Sequence, residues 1–261
     1  MAMLGVLGTA PPALATHFRY GNLTRDFKSG RTVEFSLQDA FRRTATPSFD
    51  PCVDPSNTNT VIACCSNPIL CPTPGPKFCA NGGSVGASCT TNQCGSGNIC
   101  SPLHGVGDVI REDIGGSQLQ FGDGTHIPAG SAPLVYIVTS VDLVNEWSFV
   151  QALDPTSLPT IDTTISHTYG GTATTFTAKL DDCCRISPAV APNGHINNPD
   201  KSYTLSTAVT FTGDNAPVST EVPIVNCCYP AVLRLQLQST CRGPGRGHSA
   251  VPARGGRVRG R

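Results

Sequence analysis

Thirteen cysteines in 261 residues constrain this chain more than any other feature. A reducing cytosol keeps thiols free, so the count points to an oxidising, extracellular compartment in which disulfides reinforce the fold. Eight of them, Cys52, Cys64, Cys65, Cys71, Cys79, Cys89, Cys94 and Cys100, fall within residues 50–103. That stretch is rich in Gly, Pro, Asn and Ser, and it has too few large apolar side chains to build a core of its own. It reads as an insertion stapled by disulfides, with connectivity that spacing alone does not fix. None of its cysteines forms the Cys-x2-Cys clamp of a zinc site. The vicinal pairs Cys183-Cys184 and Cys227-Cys228 sit beside expected strands, where they suit inter-strand disulfides or, alternatively, a four-thiolate metal site. Cys241 makes the total odd.

The rest of the chain is patterned for β-structure. Charged residues are 14%, and 27 Gly with 22 Pro leave little room for long helices. Residues 1–15 have the composition of a secretory leader: a short apolar stretch from Met3 to Gly8, then Ala13-Leu14-Ala15 as a small-x-small cleavage signature. Residues 16–49 read as the N-terminal hairpin of a sandwich, with Val33, Phe35 and Leu37 alternating and Lys28-Ser29-Gly30-Arg31 as the turn. Alternation returns in 104–185 and continues through 186–241, ending in an expected strand over Ala231–Leu237. The one stretch with helical spacing is 139–152, where Val141 with Val144 and Leu143 with Trp147 stand three and four apart. Short strands joined by turns predict an all-β, antiparallel Ig-like sandwich. Residues 242–261 carry six arginines and no acid, the composition of a disordered tail or of a shifted reading frame in GC-rich DNA. Without them the body has 12 basic and 18 acidic side chains, a net charge of −6 that disfavours nucleic acid and leaves room for a hard cation.

Two motifs stand out within 104–185. Phe121-Gly122-Asp123-Gly124-Thr125 is followed, 44 residues on from Asp123, by His167-Thr168-Tyr169-Gly170 and then by the alternating Thr175–Leu180. Asp-Gly suits a tight turn with positive φ, and a tyrosine can bury its ring while its hydroxyl finds a partner. Together they resemble the PKD (polycystic kidney disease) domain family, although the connection between the motifs is longer here and the tryptophan that commonly precedes the turn is absent. The opening Thr16–Gly21 and the Cys79–Cys100 spacing are similar to secreted bacterial surface proteins with Cys-rich repeats. The resemblance implies an extracellular PKD-like Ig sandwich used for adhesion, glycan contact or spacing, with Phe121, Gly122, Asp123, Gly124, His167 and Tyr169 as its binding-site candidates.

No enzyme signature finds its context. Gly82–Gly86 matches a nucleophile elbow only as a string, and no two histidines have His-x3-His spacing. Asp181 and Asp182 are adjacent on an expected strand and so face opposite ways. Calcium is the one cofactor suggested by the acids. Asp123, Asp181 and Asp182, with Asp214 and Asn215, fall at turns or strand ends, where they serve as ligands or simply cap the turns. Asn22-Leu23-Thr24 is a glycosylation sequon. No run is long and apolar enough to span a bilayer. The reading is a secreted, non-catalytic binding or structural module whose partner is an extracellular glycan or surface protein, with no nucleic-acid partner. Two alternatives are an accessory region of a secreted hydrolase that continues beyond this C-terminus and a Cys-rich enzyme inhibitor.

Overall fold

Strand β1 (Phe18–Ser29) and strand β2 (Thr32–Arg42) form the expected hairpin, and Gly30 closes its turn with φ +57°. β2 is the organising strand. Its odd-numbered positions Val33, Phe35, Leu37, Asp39 and Phe41 are all buried, and its even-numbered neighbours face outward through Gln38. The chain is a computed structural model describing residues 17–45, 50–66, 69, 71, 75, 77–85, 87–90, 93–113, 118–183, 185–186, 201–211, 218–219 and 239–240. The expected leader, the strand over Ala231–Leu237, Cys184, Cys227, Cys228, Cys241, Asp214, Asn215 and the Arg-rich tail lie outside the described residues.

Two antiparallel sheets make the sandwich. Along the chain follow β3 (Val53–Asp54), β4 (Asn57–Val61), β5 (Lys77–Cys79), β6 (Ser88–Cys89), β7 (Cys100–Pro102), β8 (Val109–Arg111), β9 (Leu119–Gln120), β10 (His126–Ile127), β11 (Val135–Asp142), β12 (Trp147–Ala152), β13 (Ile165–Thr168), β14 (Thr175–Asp182) and β15 (Tyr203–Thr210). The larger sheet runs β1-β2-β12-β11-β8, with β13 also on β2. The smaller runs β10-β9-β14-β15. The edge of β2 away from β1 is shared: β12 takes Gln38–Arg42, while β13 takes Thr32–Phe35. Core side chains from both sheets meet between them, including Phe35, Leu37, Ile110 and Val150 from one and Leu119, Ala178, Leu180 and Val209 from the other. The N-terminal hairpin therefore supplies a central strand of the larger sheet.

Residues 139–152 are strand, turn and strand. Asp142 decides this locally: its carboxylate accepts the Val144 and Asn145 amides at 2.9 and 3.0 Å and the Asn145 side-chain amide at 2.7 Å. That Asx turn competes with helix, and the β-branched run before it favours the pleated sheet. Trp147 is buried, with the Arg19 guanidinium 4.3 Å from its ring centroid.

The Cys-rich stretch carries two small sheets, β3-β4 and β6-β5-β7. Four disulfides hold it: Cys52–Cys64, Cys65–Cys71, Cys79–Cys94 and Cys89–Cys100. It docks along β8. Cys52 bridges to Ile110, and the Arg111 side chain donates to the Thr58 carbonyl at 2.7 Å. Cys52 and Cys64 join the main core, and the Asp108 carboxylate accepts both the Cys65 and Gly105 amides at 2.8 Å. Gly105 packs so closely on the Cys65–Cys71 disulfide that a Cβ there would lie 2.8 Å from one sulfur and 2.9 Å from the other.

Candidate functional site

The two motifs meet. Phe121 directly follows β9, Gly122 and Gly124 turn the chain with φ +85° and +91°, and Asp123 accepts the Thr125 amide and hydroxyl at 3.0 and 2.6 Å. His167, on β13, stacks flat on Phe121 with ring centroids 3.9 Å apart and lies 2.8 Å from the Asp123 carboxylate through Nε2. Tyr169 donates from its buried hydroxyl to the Phe121 carbonyl at 3.0 Å. Burial pushes the Asp123 carboxyl pKa up, yet the hydrogen bonds from Thr125 and His167 outweigh it and leave it below its ordinary value. All six binding-site candidates thus belong to one corner, which ties the smaller sheet to β13 and so to β2. Asp123 is committed to that corner, while Asp181 is exposed and engages Lys179 and Thr204. Asp182, one residue on, is buried. The three calcium candidates therefore occupy three separate settings.

A groove opens where β2 changes partners. It has a volume of about 330 Å³ and lies on the outer face of the larger sheet. Asn22 and Thr24 of β1, Glu34, Ser36 and Gln38 of β2, and Gln151 of β12 line it, with Gln151 donating to the Ser36 hydroxyl at 3.1 Å. These are outward positions of adjacent strands, so their amides, hydroxyls and carboxylate form one polar surface on a rigid ladder.

A second polar set is sealed inside, and sequence reasoning missed it. Asp39 on β2, Glu112 just after β8, Asp182 at the end of β14, Tyr136 on β11 and Tyr203 on β15 are all buried, as are His17 and Asp50. His17 Nε2 lies 3.2 Å from Glu112 and 3.7 Å from Asp50. Burial, reinforced by Arg42, lowers the His17 pKa to about 3, so the ring is neutral. Burial drives the Asp39 and Asp50 carboxyls well above their ordinary range, and proximity to Asp182 adds to both. The Asp50 carboxylate oxygens and the Tyr203 hydroxyl have no hydrogen-bond partner among the described residues. The Tyr136 hydroxyl is close enough to Asp39 to oppose that rise, without closing a bond of ordinary geometry. The available signal was a charge on an inward step: Asp39 follows Val33, Phe35 and Leu37, and Asp182 follows Ala178 and Leu180.

The converging cysteine groups offer no metal chemistry. Cys79, Cys89 and Cys94 lie together, as do Cys52, Cys64 and Asp108, but every one of these sulfurs is in a disulfide and none is a thiolate ligand. Cys183 is disulfide-bonded as well, which removes it from a four-thiolate site. No helix among the described residues is long and apolar enough to cross a membrane.

No curated protein and no solved structure matches the chain. The family model for the N-terminal region of integrin beta-like proteins A–E matches residues 84–212, a span that holds both motifs, the β11-β12 hairpin and β14-β15.

Proposed function

We propose that this chain is a non-catalytic extracellular binding module that contacts another protein through the outer groove of its larger sheet. The groove is the observation that carries the reading. It presents Asn22, Thr24, Glu34, Ser36, Gln38 and Gln151 on three hydrogen-bonded strands, a preformed surface whose binding would cost little ordering. The buried imidazole–carboxylate set, by contrast, is out of reach of a substrate. The four disulfides fit an oxidising exterior. Similarity of residues 84–212 to the N-terminal region of integrin beta-like proteins supports an adhesion-type role, and the PKD-like corner at Phe121 and His167 suits the same use of a sandwich as a rigid support. A protein partner is favoured over a glycan because none of the lining side chains is an exposed aromatic ring on which a sugar could stack.

The test uses fluorescent beads bearing the disulfide-intact protein, incubated with cells of its host. Binding that is lost when the cells are shaved with trypsin, and lost again in a Ser36→Arg/Gln151→Arg variant with an unchanged circular dichroism spectrum, is the expected result. Wild-type binding by that variant, or binding that survives proteolysis and disappears on glycan removal, would overturn the proposal.

A further inference from the structure

Asn22-Leu23-Thr24 is the only Asn-x-Ser/Thr sequence in the chain, and both of its polar residues line the outer groove. We infer that Asn22 carries an N-linked glycan, and that this glycan covers the groove and controls access to it. Alternation along β1 sends Asn22 and Thr24 outward, while Leu23 between them is buried. The Asn22 carboxamide is partly exposed and makes no hydrogen bond among the described residues, so its nitrogen is open to substitution. Among the described residues β1 is an end strand of the larger sheet, which puts Asn22 at the rim of the groove.

The chemistry of the sequon fits this placement. An oligosaccharide is transferred from a lipid-linked pyrophosphate donor to the Asn22 side-chain nitrogen. The bond from sugar C1 to that nitrogen forms, the bond from C1 to the pyrophosphate oxygen breaks, the nitrogen gives up one proton, and the lipid pyrophosphate leaves. Recognition requires a hydroxyl two residues on, and Thr24 supplies it on the same face. β1 precedes in sequence every strand it packs against, so the sequon emerges extended and unpaired. The four disulfides form in the same oxidising compartment. Along the ladder from Asn22 stand Gln38 and then Gln151, with Ser36 beside them. Two strand spacings span about 10 Å, within reach of an oligosaccharide, and these side chains offer donors and acceptors to sugar hydroxyls. They have no exposed ring to capture a free glycan, but a tethered one needs little affinity, because its effective concentration is on the order of millimolar. A bulky, hydrated chain held there would exclude a protein. The control of access rests on the binding role proposed above for the groove; the modification does not.

Protein secreted by its host is digested, and the peptide holding Asn22 is read by mass spectrometry before and after peptide-N-glycosidase treatment in heavy-oxygen water. The expected result is a sugar adduct on Asn22 that the enzyme removes, leaving a heavy-oxygen-labelled aspartate at that position. Thr24→Val, which keeps the shape and loses the hydroxyl, should abolish the adduct, and Thr24→Ser should retain it. A peptide with Asn22 unmodified would overturn the inference. For access, beads bearing the folded protein with its glycan intact, or trimmed to the first sugar by an endoglycosidase, are compared on host cells; the polypeptide is the same in both. Trimming should raise the apparent affinity about tenfold, the gain for a groove otherwise open about a tenth of the time. Equal binding by the two forms would refute the shielding and leave the binding role standing. Failure of both forms to bind would sink the binding role and the shielding with it, while the mass result would still decide the modification.

Discussion

Gly122 allows a quantitative check on how the Phe-Gly-Asp-Gly corner is built. A Cβ at this position would sit 2.4 Å from the Thr177 carbonyl oxygen and 2.9 Å from the Thr177 nitrogen, both backbone atoms of β14. Its φ of +85° adds a conformational penalty. For Gly122→Ala, left-handed backbone in an L-residue costs about 1–2 kcal/mol, and forcing an extra methyl into a packed interface costs about 1–3 kcal/mol more. The sum, about 2–5 kcal/mol, is a large fraction of a domain's usual stability. Gly124→Ala is the internal control. Gly124 has φ +91°, nearly the same backbone, but nothing lies within 4 Å of its Cβ position. It should lose only the conformational part, about 1–2 kcal/mol. Urea unfolding monitored by Trp147 fluorescence, with disulfides intact, gives both values if the slope is shared. Equal losses in the two variants would refute the argument that the approach of β14 is what requires glycine at 122.

Three further outcomes follow from the same corner and from the disulfides. Tyr169→Phe removes the 3.0 Å bond to the Phe121 carbonyl and should cost about 1–2 kcal/mol by the same urea assay. Asp123→Asn should cost about 1–2 kcal/mol at neutral pH. Because the folded Asp123 pKa is depressed, that contribution is complete above its unfolded value of about 4 and fades as pH falls through the lower folded value; a wild-type-to-variant gap that stays constant into strong acid would contradict it. The Cys52→Ala/Cys64→Ala pair opens a bridge across 12 residues that is packed in the main core, and should cost about 3 kcal/mol plus a packing loss. Cys65→Ala/Cys71→Ala opens one across 6 and should cost about 2 kcal/mol, so the ordering of the two melting temperatures is the check.

Much of the sandwich was legible because its signals are local. Gly30 between two alternating runs specifies the β1-β2 hairpin, and alternation in Thr175–Leu180 specifies β14. The motif pair was legible for the same reason, since each half has its own turn or ring chemistry. What could not be read is pairing at a distance. Nothing local says that Ile165–Thr168 pairs with the N-terminal half of β2 while Trp147–Gln151 takes its C-terminal half, yet that exchange creates the groove. Docking of the Cys-rich stretch on β8 depends likewise on contacts such as Arg111 to Thr58, 53 residues apart. The helical spacing in 139–152 misled because it counted apolar residues and ignored the Asx turn that Asp142 makes with Asn145.

The polar layer shows a different kind of failure. Alternation was used to find hydrophobes, so Asp39 and Asp182 looked like the ends of their apolar patterns. Their backbones continue in strand, and their side chains continue inward. Gly21 opposite Asp39 completes the picture: a Cβ there would lie 2.2 Å from the Asp39 carboxylate and 2.4 Å from the Leu205 side chain, so the residue that admits the acid to the interior lies on the paired strand. A charge on an inward step, beside a glycine that makes space for it, is a signature of a deliberately polar interior. It also divides the labour of the molecule: the outer face of β2 supplies Glu34, Ser36 and Gln38 to the groove, while the inner face of the same strand carries the buried Asp39 carboxylate between Leu37 and Phe41. Substitutions on the outer face should therefore change contact without changing stability, and those at Asp39 the reverse, because alternate residues of one strand address the two surfaces independently.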